Sequence, residues 1–157
     1  MDYPSLQKLG DRAYFTCSDV AQLFGIQVAS ARVLCARNAA TGAFVRLKRN
    51  FYVLDQHWRR LSSPEALRIA NFLQVPSYVS FMTALSRYEL TTQVQRDFVE
   101  SASVKRSVRY DVRGRAFNYY KLNPACYFGF VKENDLFIAT PEKAFVDAIY
   151  LYSFGKY

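Results

Sequence analysis

Through residues 5–39 the apolar positions return every three or four places, in runs each too short to be a stable helix alone. Leu6 and Leu9 in "YPSLQKLGDRAYFT" predict a first helix over about Ser5–Leu9. In "VAQLFGIQVASARVLCARN", residues 20–38, Val20, Ala21, Leu23 and Phe24 mark a second helix, with Ser18 as its N-cap. Gly25 suits a positive φ at the end of that helix, after which Ile26 points back into the core. A third helix is expected from about Val28 to Ala39. Ala21 and Ala31 are small enough for two helices to cross closely, and Val20, Phe24, Ile26 and Leu34 fill the other interior places of a helix-turn-helix. The period then changes to a β pattern. Ala43–Leu47 and Phe51–Leu54 flank the polar tip Lys48, Arg49 and Asn50, which predicts a hairpin. Helices followed directly by a hairpin are in the order of a winged helix-turn-helix.

A polar break, "QHWRRLSS", separates this pattern from a different one. It predicts a first domain over 1–55, a linker over 56–63 and a second domain over 64–157. "PEALRIANFL" and "SYVSFMTALSRYEL" read as amphipathic helices. Expected strands follow at Asp97–Ser103, Ser107–Val112, Arg115–Lys121, Tyr127–Lys132 and Leu136–Ala139, with turns at Arg113-Gly114 and Asn134-Asp135. "ATPEKAFVDAIYLYSF" closes the chain as a helix, with Thr140 as N-cap, Pro141 at the first helical position and Glu142 favourable to the helix dipole. The expected fold class is α+β, a winged helix-turn-helix domain followed by a mixed α+β domain.

Charge sharpens the first half. The 157-residue chain carries 21 Lys+Arg against 13 Asp+Glu, net +8, and its 51% hydrophobic residues suffice for packed cores. No acidic residue lies between Asp19 and Asp55, whereas Arg32, Arg37, Arg46, Lys48 and Arg49 all do. The third helix should present Gln27, Ala29, Ser30, Arg32, Val33, Ala36 and Arg37 outward, short and basic side chains that fit a DNA groove. The candidate DNA-binding residues are therefore Gln27, Ser30, Arg32, Val33 and Arg37 from the helix, with Arg46, Lys48, Arg49 and Asn50 from the hairpin. A helical hairpin serving packing alone is the competing reading. A second basic run, from Lys105 through Arg106, Arg109, Arg113 and Arg115 to Lys121, reads as a solvated strand face or a further phosphate-contacting surface.

Other chemistry is thinly supplied. Cys17, Cys35 and Cys126 are far apart, and His57 is the single histidine, so no disulfide framework, metal or other cofactor is expected. Asp97, Glu100, Asp111, Glu133 and Asp135 show no compact spacing for a metal-dependent nuclease, and no phosphate loop or nucleophile elbow is present. A non-enzymatic protein is expected. No apolar run reaches the length needed to span a bilayer, and the start "MDYPSLQKLG" lacks a signal peptide's pattern, which predicts a cytoplasmic location away from membranes.

Taken in order, "FTCSDVAQLFGI", "NFYVL", "SYVSFMTALSRYEL", "FNYYKLNPACYFGF" and above all "IATPEKAFVDAIYL" resemble the AbiEi-type antitoxins, transcriptional regulators of type IV toxin–antitoxin systems. The resemblance covers nearly the whole chain. It implies a winged-helix domain that represses its own operon at inverted repeats of double-stranded DNA. It also implies a second domain that helps to neutralise a nucleotidyltransferase-like toxin. Arg32, Arg37, Lys48 and Arg49 then correspond to the family's basic DNA-facing surface. Family members usually continue well beyond the "TPEKAF" helix, whereas this chain ends at "SFGKY", so a short variant or a C-terminally truncated second domain is expected. DNA-assisted dimerisation is expected on an inverted repeat. A protein-interaction domain and a solitary winged-helix regulator without antitoxin activity are the alternatives.

Overall fold

The computed structural model describes residues 3–10, 12–93 and 95–157. Its contacts divide the chain into two units, Met1–Ser62 and Ser63–Tyr157. The first runs α1 (Tyr3–Gly10), β1 (Phe15–Thr16), α2 (Cys17–Phe24), α3 (Val28–Thr41), β2 (Phe44–Lys48), β3 (Phe51–Leu54) and α4 (Asp55–Arg59). Its small antiparallel sheet has the order β1-β3-β2. Gly25 ends α2 at φ +62, and its N–H and that of Ile26 both donate to the Ala21 carbonyl. A β-carbon there would meet open space, so the backbone angle selects glycine, not crowding. The inner sides of α2 and α3, with Val20, Ala21, Ala31 and Cys35, share one core with Phe15, Phe44 and Tyr52. Phe15 meets Phe44 edge-on at 4.9 Å.

Two expectations for this unit need correction. Thr16, not Ser18, caps α2: Thr16 Oγ1 accepts from Asp19 N–H, and Asp19 Oδ2 accepts from Thr16 N–H at 2.7 Å. Pairing of Phe15 and Thr16 with β3 keeps the chain extended up to Thr16, so the helix starts one residue later as a reciprocal capping box. The stretch 56–63 is not a linker throughout. Asp55–Arg59 is helical, held by an Asp55–Arg59 ion pair at 2.8 Å, and Trp58 and Leu61, three apart, are both buried in the first unit.

The second unit is mixed α and β. It runs α5 (Ser63–Leu73), β4 (Ser77–Val79), α6 (Phe81–Arg87), β5 (Phe98–Ser103), β6 (Val108–Val112), β7 (Arg115–Lys121), β8 (Phe130–Glu133), β9 (Leu136–Ala139) and α7 (Pro141–Ser153). The six strands lie in the order β6-β7-β5-β4-β9-β8, with β5·β7 and β4·β9 parallel and the other pairs antiparallel. Register puts Tyr78, Ala102 and Tyr120 on one face and Val79, Ser101 and Tyr119 on the other. The Tyr119 hydroxyl donates to the Ala70 carbonyl of α5, and the Tyr78 hydroxyl donates to Asp147 of α7, so helices cover both faces.

"SYVSFMTALSRYEL" is not one helix. Ser77–Val79 is fully buried β4, and Phe81, at φ +55, turns the chain into a helix that ends at Arg87. Burial in a sheet interior outweighs the helical spacing of the apolar residues. The strand expected at Tyr127–Lys132 begins only at Phe130, because Pro124–Cys126 forms a 3-10 turn and Gly129 takes φ +76.

A buried charge cluster fastens α7. Lys143 Nζ lies 2.7 Å from Asp147 Oδ1, and the two side chains are 6% and 2% exposed. Asp147 Oδ2 also accepts from Tyr78 at 2.8 Å and Ser80 at 2.7 Å, while Lys143 donates to the Cys126 carbonyl at 2.7 Å. The Lys143 stem runs so close to Gly129 that a β-carbon there would sit 2.9 Å from its Cγ. Because both charges are fully partnered, removing one leaves the other buried and uncompensated. Asp147→Ala is expected to lower the stability of the second unit by about 3–5 kcal/mol, measured by urea denaturation, with the unfolding of the first unit unchanged.

Candidate nucleic-acid interface

Helix α3 owes its outward face to its inward one. Ala31, Cys35 and Asn38 are buried at helical spacing, and the Asn38 amide donates to the Leu34 carbonyl at 2.8 Å, so a polar residue is satisfied inside. The opposite side exposes Ala29, Ser30, Arg32, Val33, Ala36, Arg37 and Ala40. Gln27 is exposed at the N-cap and makes no side-chain capping bond there. Arg32 and Arg37, five residues apart, lie about 140° apart around a helix of 3.6 residues per turn. They flank a strip of Ala29, Val33, Ala36 and Ala40. Short side chains along the middle let a helix approach a surface closely, while the guanidinium groups reach to either side.

The hairpin places Arg46, Lys48, Arg49 and Asn50 together, but they are not equivalent. Arg46 and Arg49 are exposed. A register irregularity between Arg46 and Lys48 shifts the pairing so that Lys48 sits opposite Phe51. Lys48 Nζ lies 5.1 Å from the Phe51 ring centre, and its partial burial lowers the ammonium below its ordinary pKa. Asn50, at φ +68, accepts a 3.2 Å hydrogen bond from the Cys17 N–H through Oδ1. Its amide oxygen is thus engaged at the start of α2, while the residue itself is exposed. The tip is a two-residue turn tied to a helix end, further braced by the Tyr14–Phe51 edge contact at 5.5 Å.

Sequence reasoning passed over residues that this tie brings alongside. Ser18 is exposed in the first turn of α2, next to the Cys17 amide that Asn50 holds, and Tyr14 is 38% exposed against the hairpin. Their proximity follows from β1–β3 pairing, for which two residues of extended chain give almost no signal. Beneath them, Asp19 accepts from Thr16 and from Arg12, the latter at 2.8 Å. Burial alone would raise the Asp19 carboxyl, but the Thr16 hydrogen bonds and the Arg12 guanidinium outweigh it and hold the group below its ordinary value.

The remaining candidate chemistry disperses. Glu100 is buried and accepts from the Tyr157 hydroxyl and the Met82 amide; burial pushes its carboxyl up despite those bonds. Asp111 is held by Arg109 at 2.9 Å and Asp135 by Lys132 at 3.3 Å, while Asp97 and Glu133 are exposed elsewhere. Among the described residues no three His, Cys, Asp or Glu converge as metal ligands. Cys17 and Cys35 are buried free thiols, and burial beside Cys17 pushes Cys35 up to about 12. No helix among the described residues is long and apolar enough to cross a membrane.

No family model, no curated protein and no solved structure matches the chain.

The capping box at the start of α2 has a measurable pH signature. A carboxyl lowered in the folded state contributes stability that is present above its ordinary value of 3.8 and lost as the pH falls through the lowered one. Urea unfolding of the first unit should therefore show an acid-side loss that the Asp19→Asn variant lacks. At neutral pH Thr16→Ala should cost about 1 kcal/mol, the usual worth of an N-cap side chain.

Proposed function

We propose that the first unit is a winged helix-turn-helix and that the chain is a DNA-binding transcriptional repressor acting in the cytoplasm, not an enzyme. The observation that carries this reading is the outer face of α3. It combines a strip of small residues with Arg32 and Arg37 at its flanks, in a stretch between Asp19 and Asp55 that has no acidic residue. The order of helices and strands supports it, since α2, the Gly25 turn, α3 and the β2–β3 hairpin follow one another as in that class. In this reading α3 enters the major groove, Arg32 reads a base edge, and Arg37, Arg46, Lys48 and Arg49 meet phosphates. Asn50 acts indirectly, by holding the hairpin tip to α2. The target is an inverted repeat upstream of the chain's own gene.

The antitoxin role, opposing a nucleotidyltransferase-like toxin in the manner of the AbiEi-type regulators, is proposed on the sequence resemblance alone. Within "IATPEKAFVDAIYL", Lys143 and Asp147 are spent on the buried cluster, so that motif contributes to folding whatever the second unit does. A second reading, a protein-interaction role for the second unit, is favoured by the large apolar side chains exposed along α7.

A gel shift with the DNA upstream of the gene tests the main reading, and absence of a shift at low salt would overturn it. Arg32→Ala should weaken binding to the operator by about 1–3 kcal/mol while altering a scrambled duplex much less. Arg49→Ala should weaken both duplexes similarly and reduce the slope of log K against log salt by about one. Equal losses on both duplexes for Arg32→Ala would make Arg32 a phosphate contact.

A further inference from the structure

The largest anomaly lies away from the basic surface. Helix α7 turns Lys143, Ala144, Asp147 and Leu151 inward and exposes Phe145 (57%), Val146 (55%), Ile149 (51%) and Tyr152 (75%). Phe145, Ile149 and Tyr152 recur at i, i+4 and i+7, so they form one ridge. The ridge forms one wall of a concavity whose opposite wall is Met82, Leu85, Leu90 and Thr91, with Leu90 itself 61% exposed. Tyr157 closes one end, its ring stacked 5.5 Å from Phe81 and its hydroxyl donating to Glu100 at 2.7 Å. Contiguous apolar surface of this kind marks an interaction site.

We infer that this face pairs with the same face of a second copy of the chain, the α7 ridge of each copy seated in the concavity of the other. Three observations select that occupant. The ridge borders the concavity it helps to form, so one face of the chain offers both a projecting and a receiving surface, which is what an isologous two-fold contact requires. The face carries little charge: Glu142, which lines the concavity, is the one carboxylate or cationic side chain exposed on α7, because Lys143 and Asp147 neutralise each other inside. On a chain of net charge +8 it is a place where two copies meet without opposing cations, and it offers a nucleic acid nothing cationic to bind. The area also suffices. With large side chains offering roughly 150–250 Å² each when fully exposed, the five exposed residues supply on the order of 500 Å² per copy. The pair then buries about 1,000 Å², the lower bound for a specific interface. The pairing is therefore weak and concentration-dependent.

Sedimentation equilibrium of the full chain without DNA, at total concentrations from about 1 to about 100 μM, tests the pairing. The expected result is a monomer–dimer equilibrium that shifts toward dimer as salt rises, because salt screens the repulsion between two cationic chains. Ile149→Glu and Tyr152→Asp should each weaken it roughly tenfold or more, with thermal melting unchanged since both side chains point to solvent. Should Ile149→Glu perturb folding, Tyr152→Asp decides. A monomer at every concentration, or a dimer of unchanged affinity in the folded variants, overturns the inference. Binding of wild type and variants to a single half-site duplex reads the DNA proposal separately: the variants should retain it, and its absence in the wild type would count against DNA binding without touching the dimer.

Discussion

The direction of every side chain on α3 follows from one backbone constraint, the left-handed turn at Gly25. The Ala21 carbonyl receives two N–H groups from the turn, so the chain leaves α2 in a fixed direction and Ile26 returns to the core before α3 begins. A residue with a β-carbon would be strained against its own backbone at that φ, at a cost of about 1–2 kcal/mol, although the space around it is open. Small residues then do the rest. Ala21 and Ala31 lie in the core where larger side chains would push the helices apart, and Cys35 fills the next inward place of α3. With that side fixed, Arg32, Arg37 and the strip between them have no alternative but to face outward.

The second unit solves a harder problem in a different way. Helix α7 must cover a sheet face that carries Tyr78 and lies beside Ser80, and both hydroxyls need partners once buried. Asp147 supplies them, Lys143 balances Asp147, and the carbonyl of Cys126 accepts a further hydrogen bond from the ammonium. One polar cluster thus joins a strand, a helix and the turn before β8. A cluster of this kind adds little net stability over an apolar one but is costly to break, so it specifies how α7 is seated. The outcome is that Lys143 and Asp147 point inward together with Ala144 and Leu151, while Phe145, Val146, Ile149 and Tyr152 are exposed, so α7 shows solvent large apolar side chains where an ordinary amphipathic surface helix shows polar ones.

Legibility in the sequence tracked the range of the interactions involved. The Gly25 turn, the outward set on α3, the hairpin limits near Phe51–Leu54 and the Thr140 cap are local, and periodicity or a single residue type reports them. The Thr16–Asp19 box was also local, but Ser18 stood in an equally good capping position. Only the pairing of Phe15 and Thr16 with β3 decides between them. Ser77–Val79 read as helix because its apolar spacing continues into α6, and its place between β5 and β9 is a property of the whole sheet. Nothing local marks Asp147 as a buried anchor for the same reason, since its partners Tyr78 and Ser80 lie more than sixty positions away. The bond from the Cys17 N–H to the Asn50 amide oxygen spans thirty-three positions and has no local signal either.

Charge is distributed so that DNA binding and self-association, as proposed, answer salt in opposite ways. Residues 1–61 hold nine Lys/Arg and four Asp/Glu, net +5. Residues 105–121 hold six Lys/Arg and one Asp, also +5, although Arg109 is occupied by Asp111. The rest of 62–157 has six Lys/Arg and eight Asp/Glu, net −2, and it includes α7. Two free copies approaching through α7 still carry +8 each, a repulsion that salt screens and that phosphates neutralise more effectively at close range. A duplex presenting two half-sites would therefore supply the counter-charge that lets a weak apolar contact form. Pairing on DNA would then be tighter than pairing in solution without any new protein–protein contact, because the operator both raises the effective concentration of the two copies and removes the charge that keeps them apart.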